Sequence, residues 1–155
     1  MYKKIFLIIV VLNFLNHCGF TPLHSSKQAA NFSIESISFA GDKIINNYLS
    51  NNLSRFENGK FEKKFKISVN TDYNKNIISK DKTSKVSNYE LSAVSIFQIL
   101  YEDKIIKKFK LSERKTINNI EDKFEEQEYE KSVKQNFALS ISNKLITELS
   151  MLNDF

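Results

Sequence analysis

The feature that most limits the fold of this chain is a long C-terminal segment that contains no glycine or proline. From about Phe124 to Leu152, apolar residues recur at every fourth position. They are Tyr129, Val133, Phe137, Ile141, Leu145 and Leu149, with Ile146 beside them. This spacing predicts a helix with one broad apolar stripe. An isolated amphipathic helix is only marginally stable in water, so the stripe requires another element to cover it.

A second, shorter helix is predicted to begin after Gly41-Asp42, where Asp42 is suited to cap its first turn. Apolar residues follow at helical spacing and are Ile44, Ile45, Tyr48, Leu49, Leu53 and Phe56. Polar residues, with Asn46 among them, occupy the other face. Gly59 is a natural stop for this helix.

Two stretches before residue 80 have the composition of β-strands. Phe32 to Phe39 is rich in β-formers, and its apolar phase slips between Ile34 and Ile37, which indicates a β-bulge. Strict alternation begins at Phe65 and predicts a second strand that continues to Ile78.

The clearest strand runs from Asn88 to Tyr101, after a polar turn region at residues 79–87. Both of its faces carry apolar residues, so we expect its middle to be covered on both sides. Glu102-Asp103 predicts a tight turn, and Lys104 to Leu111 returns as the hairpin partner.

The predicted order is strand, helix, three strands and a long helix. Two helices with one apolar stripe each need a sheet face to pack on. We therefore expect a single α+β domain over residues 32–155, built as a two-layer sandwich with two helices packed on a mixed or antiparallel four-stranded sheet.

We predict residues 1–17 to be a signal peptide. Lys3 and Lys4 precede an unbroken apolar run from Ile5 to Leu12, which is the arrangement of a secretory signal. The run is shorter than the roughly 20 residues that a membrane-spanning helix needs. The alternative is a buried helix of the core, which the basic residues and the terminal position disfavour.

The only cysteine of the chain, Cys18, directly follows this run. The sequence Leu15-Asn16-His17-Cys18 resembles the Leu-small-small-Cys box that ends bacterial lipoprotein signals, with Asn16 and His17 in place of the small residues. A thiol at the new N-terminus can carry acyl chains such as palmitate. Because each buried CH₂ contributes about 0.8 kcal/mol, several chains form a stable membrane anchor.

Gly19 follows the cysteine, where inner-membrane lipoproteins carry Asp. We therefore expect an outer-membrane lipid anchor, with the body facing the periplasm. Residues 18–31 are polar and contain Pro22, and we predict that they form a lipidated tether.

The sequence lacks the residues that several classes of function require. The net charge is +5, of which Lys3 and Lys4 supply two units, and no dense basic-aromatic pattern accompanies it, so we expect no nucleic acid partner. His24 is the only histidine outside the predicted signal, so there is no His pair for a metal. We expect no catalytic residues, no cofactor and no enzymatic activity. Some acidic residues could be considered as acid or base groups, but we interpret them as solvated. They are Asp72, Asp81, Asp103 and the run Glu121–Glu130.

Two groups of lysines flank the long predicted strand. Lys80, Lys82 and Lys85 lie before it, and Lys104 begins a cluster after it that includes Lys107, Lys108 and Lys110. They are either solvated loop residues or contacts for the phosphates of an exported glycolipid. Strand geometry puts the two groups at opposite ends. Only one end can therefore face the glycolipid. We favour Lys82 and Lys85 as the contacts for its phosphates.

The opening Cys18-Gly19-Phe20-Thr21-Pro22-Leu23 resembles the mature start of the LptE-like lipopolysaccharide-assembly lipoproteins of the alphaproteobacterial type. The order of predicted elements is also similar to theirs, over essentially the whole chain. The resemblance implies a plug that sits inside an LptD-like outer-membrane β-barrel, helps that barrel assemble and helps deliver lipopolysaccharide. The alternative is a lipid-anchored envelope protein with a structural or ligand-carrier role and no barrel partner.

Lipidation of Cys18 is directly testable. We expect the native protein to begin at Cys18 and to carry acyl chains, and Cys18→Ser to leave an uncleaved precursor, because the modification requires the thiol. Mass spectrometry of protein isolated from membranes measures both. An unmodified Cys18 with residues 1–17 still attached would contradict the prediction.

Overall fold

A computed structural model describes residues 31–57 and 59–153. The chain forms β1 (Ser33–Gly41), α1 (Lys43–Leu53) with a 3₁₀ turn over Ser54–Phe56, β2 (Lys64–Lys80), β3 (Val86–Tyr101), β4 (Lys104–Asn118) and α2 (Lys123–Asn153). Cys18, His24 and the predicted signal and tether up to residue 30 lie outside the described residues.

The four strands form one sheet in the order β1-β2-β3-β4. β1 is parallel to β2, whereas β2, β3 and β4 are successively antiparallel. The sheet is therefore mixed, and with two helices packed against it the predicted α+β two-layer sandwich is confirmed. The core lies between the helices and one face of the sheet.

The predicted bulge in the first strand is confirmed. The register with β2 shifts between Ile34 and Ser36, which leaves Glu35 as the extra residue. This shift keeps Ile34 and Ile37 on the core side although they are three residues apart. β1 ends at Gly41, whose φ of 90° and close approach to the Thr71 carbonyl leave no room for a Cβ atom.

Asp42 caps α1 as predicted, because its Oδ1 accepts a hydrogen bond from the Ile45 N–H at 2.9 Å. Two residues differ from the expected pattern. Ile44 is 43% exposed, whereas Asn46 is buried and its amide donates to the Ala40 carbonyl. The helix also ends at Leu53, well before Gly59.

The long C-terminal helix has the predicted stripe, since Val133, Phe137, Ile141, Leu145 and Leu149 are buried. Tyr129 departs from it and is 39% exposed. A neighbouring row at the same spacing of four is buried as well, and it includes two charged residues. The buried members of this row are Glu126, Lys134, Ala138, Ser142 and Ile146.

The long strand β3 is covered on one face only. Alternate residues from Leu91 to Ile99 are buried in the core, but both described helices lie on that side. The expectation that its other face is also covered is wrong within the part of the chain that the structure describes. The hairpin turn at Glu102 and Asp103 is confirmed, and both residues have positive φ, as a two-residue turn of this kind requires.

The return strand β4 is longer than predicted and continues past Leu111 to Asn118. As a result β2, β3 and β4 form a ribbon of 17, 16 and 15 residues. At about 3.3 Å per residue, this ribbon is roughly 50–55 Å long. Neither described helix is both long enough and apolar enough to pass through a membrane.

Candidate functional site

The two predicted lysine groups lie at opposite ends of this ribbon, as strand geometry required. Ser33 pairs with Lys64 where the described chain enters the sheet. The turn between β3 and β4 is at the same end, since Lys66 pairs with Leu100. We call this the entry end, and the opposite end, where Lys80 pairs with Val86, the far end.

The far end carries a compact turn, Asp81–Lys85, organised by one carboxylate. Asp81 Oδ1 accepts hydrogen bonds from the Thr83 N–H and hydroxyl, both at 2.7 Å, and from the Lys85 N–H at 3.0 Å. Its backbone N–H also donates to the Lys85 carbonyl at 2.8 Å. The Thr83 hydroxyl is the main cause of the lowered pKa of Asp81, which keeps the carboxylate ionised. Ser84 has a φ of 64°, which closes the turn.

This turn holds the backbone fixed and directs its lysines into solvent. Lys80, Lys82 and Lys85 are all exposed, and within the described residues none of the three ammonium groups has a hydrogen bond or an ion pair. The turn contains three lysines and one carboxylate, that of Asp81, which already accepts hydrogen bonds from within the turn. The far turn can therefore offer point charges to an anionic group without breaking an existing contact.

Lys104 lies at the entry end and does not join the far turn. Residues near it bind one another: Lys66 binds Asp103 at 2.6 Å, and Lys63 donates to the Leu152 carbonyl at 2.7 Å. The end of α2 is therefore at the entry end too. Of the candidate lipopolysaccharide contacts, the structure brings together Lys80, Lys82 and Lys85 and separates Lys104 from them.

Sequence reasoning missed an internal charged cluster between α2 and β2. Glu126, interpreted from the sequence as part of a solvated run, is buried and binds Lys75 and Lys123, each at 2.7 Å. Lys75 also binds Glu130 at 2.9 Å. Hydrogen bonds from Lys123 and Lys75 lower the pKa of Glu126. Burial acts to lower the pKa of Lys75, but the two carboxylates outweigh it and raise that pKa.

A second pair connects the two helices. Lys134 of α2 binds Asp42 Oδ2 at 2.8 Å, with only 10% and 16% of the two side chains exposed. Its ammonium group also lies 3.8 Å from the ring centroid of Tyr73, which favours the cation. The Tyr73 hydroxyl is buried beside the Glu130 carboxylate, and burial first, then this carboxylate, raises the pKa of the phenol.

These charged groups bind one another within the chain: Asp42 binds Lys134, and Glu126 binds Lys75 and Lys123. The signal for them was present in the sequence, because residues 126, 130 and 134 continue the four-residue spacing of the buried row in α2. In residues 31–57 and 59–153, no group of three or more His, Cys, Asp or Glu residues is placed to hold a metal ion.

Solved structures of bacterial lipoproteins share this fold at low identity. Rare lipoprotein B from Shewanella oneidensis matches with a TM-score of 0.59 and 11% identity, over 77% of this chain and 96% of that chain. A minor lipoprotein from Acinetobacter baumannii matches at 0.56 and 12%, over 77% and 92%. A lipoprotein from Caulobacter crescentus matches at 0.55 and 13%, over 81% and 93%.

No family model matches the sequence, and no curated protein matches it. At these identities the structural similarity establishes the fold, which is shared with rare lipoprotein B and these other bacterial lipoproteins.

The Asp42 carboxylate has two roles, as the cap of α1 and as the partner of Lys134. We expect Asp42→Ala to lower the free energy of unfolding by about 2–4 kcal/mol, because it removes a cap and leaves a largely buried ammonium group unpaired. The control is Asp122→Ala, which removes the cap of α2 without uncovering a buried charge and should cost about 1 kcal/mol. Urea denaturation of the purified protein measures both, and equal losses would contradict the assigned role.

Proposed function

We propose that this protein is an outer-membrane lipoprotein that plugs an LptD-like β-barrel, helps that barrel assemble, and assists delivery of lipopolysaccharide to the outer leaflet. The opening at Cys18 to Leu23 and the fold shared with bacterial lipoproteins support a lipid-anchored envelope protein. The plug is the more specific part of the proposal.

The observation that carries the plug is the length and polarity of the body. Its three-stranded ribbon is roughly 50–55 Å long. The apolar band of an outer-membrane barrel is about 25 Å tall, and a bilayer with its headgroups is about 40–45 Å thick. A body of this length, held at its entry end, reaches from one side of the membrane to the other inside a barrel.

The direction of the ribbon supports the same function. The described chain begins at the entry end, so a tether on Cys18 would hold that end near the periplasmic leaflet. The far turn then lies at the distal end of the plug, where lipopolysaccharide leaves the barrel. Lys82 and Lys85 are exposed there and have no ion pair with a described residue, and lipopolysaccharide phosphates are suitable partners for them.

The barrel partner can be tested directly. We expect protein isolated from its native outer membrane in mild detergent to bring with it an outer-membrane β-barrel in a fixed ratio, identified by mass spectrometry. Solubilised membranes of cells that express an unrelated tagged lipoprotein are the control. Recovery of the protein with no barrel would favour a lipid-anchored protein with a structural or carrier role.

The far turn makes a separate prediction about lipopolysaccharide. Replacing Lys82 and Lys85 with Glu should weaken lipopolysaccharide binding by tenfold or more and barely change the melting temperature, because exposed charges contribute little to stability. The measurement is a binding titration with purified protein.

The matched control replaces Lys60 and Lys64, two exposed lysines of the entry end, with Glu. Lysines of α2 do not serve this purpose because Lys134 is buried. If both double variants bind lipopolysaccharide as well as the unmodified protein does, the far turn is not a contact and the plug is purely structural.

A further inference from the structure

The face of the sheet opposite the helices is uncovered in the described part of the chain, and it has an unusual composition. On β3 this open face carries Val94, Ile96 and Leu100, all half-buried. Ile105 of β4 pairs with Leu100 and extends the row, although 60% of its surface is exposed. An aliphatic row, interrupted by Gln98, therefore runs along the middle of a face that no described element covers.

A row of cations borders this aliphatic row on β4. Lys110 pairs directly with Ile96, Lys108 with Gln98 and Arg114 with Ser92. All three cations are exposed. On the other side of the aliphatic row, β2 presents the polar side chains of Ser68 and Asn70, with Lys66 opposite Leu100 and Asp72 opposite Val94. Since neighbouring strands lie about 4.8 Å apart, the face consists of parallel polar, aliphatic and cationic columns in fixed register.

Charged residues on the two faces of β4 differ in whether they have interaction partners within the described residues. Lys107, Glu113 and Lys115, which face the helices, have partners: Lys107 binds Glu148 at 2.6 Å, Glu113 binds Lys144 at 2.6 Å, and Lys115 lies over the Tyr129 ring. Those on the open face, Lys108, Lys110 and Arg114, have neither a hydrogen bond nor an ion pair within the described residues. The open face of this strand thus carries three positive charges that no described residue neutralises.

We infer that the open face is the surface through which the protein binds its barrel, and that the matching wall of the barrel presents carboxylates beside aliphatic side chains. This assignment rests on the proposed function and adds the contacting face and the chemistry of the partner. Columns in fixed register are complementary to another ordered protein surface. Neutralising an unpaired cation row requires carboxylates on that surface.

Other occupants fit the face less well. A second copy of this chain brings the same surplus of positive charge. A lipid leaflet is recognised by large apolar side chains that enter it, and the strand residues that lie on the open face include no aromatic residue. Nucleic acid is disfavoured by this lack of aromatic rings, and by the carboxylates of Asp72 and Glu90 on the same face.

Photo-crosslinking tests which face is in contact. The full-length protein is expressed with benzoylphenylalanine at Ile96 or at Leu139, an exposed residue of α2 on the opposite layer, and irradiated in native membranes. We expect Ile96 to crosslink to the barrel several times more efficiently than Leu139. A crosslink from Ile96 to lipid or to a second copy, or stronger crosslinking from Leu139, would overturn the assignment.

Charge reversal tests the chemistry. We expect Lys108→Glu, Lys110→Glu and Arg114→Glu together to reduce the recovered barrel at least tenfold, with an unchanged melting temperature. The control reverses Lys43, Lys60 and Lys131, three exposed lysines away from the open face. If the unmodified protein recovers no barrel, the proposed function and this assignment both fail. If all variants recover barrel equally, the acidic wall fails and the proposed function stands.

Discussion

The whole structure depends on a single interface, in which the apolar stripes of two helices are buried against the same face of one sheet. Phe97 and Ile99 of β3, Leu49 of α1 and Ile141 of α2 meet in this layer and are fully buried. Because both helices use one face, no described element covers the other face. The same packing that stabilises the body therefore also leaves one side of the ribbon open in the described part of the chain.

Much of this fold follows from the order of apolar residues in the sequence, but the pairing of β1 does not. The phase slip after Ile34 predicts the bulge, and the position of Asp42 predicts the cap, because both are local effects. The direction of β1 relative to β2 is not local, since alternation reads the same in either direction. A parallel pair needs a crossover connection, and here α1 with the residues after it supplies one.

The internal charges were harder to predict because their burial depends on distant partners. A charged helix residue is exposed by default. Glu126 is buried because Lys75 reaches it from 51 residues away, and Lys134 because Asp42 reaches it from 92 residues away. The candidate lysines of the far turn were easier to place, since a turn between two long strands must lie at an end of the sheet. Which end lies near the start of the domain required the pairing of β1.

The position of α2 in the sequence affects how the protein folds while it is being synthesised. Ribosomes make a chain from its N-terminus, so all four strands exist before the 31 residues of α2 are complete. Until then Phe97, Ile99 and Leu91 form an apolar surface that, among the described helices, only the short α1 can cover. The helix that covers most of the core is thus made after the strands that it covers. A chain that stops before residue 133 would expose that surface permanently and be prone to aggregate.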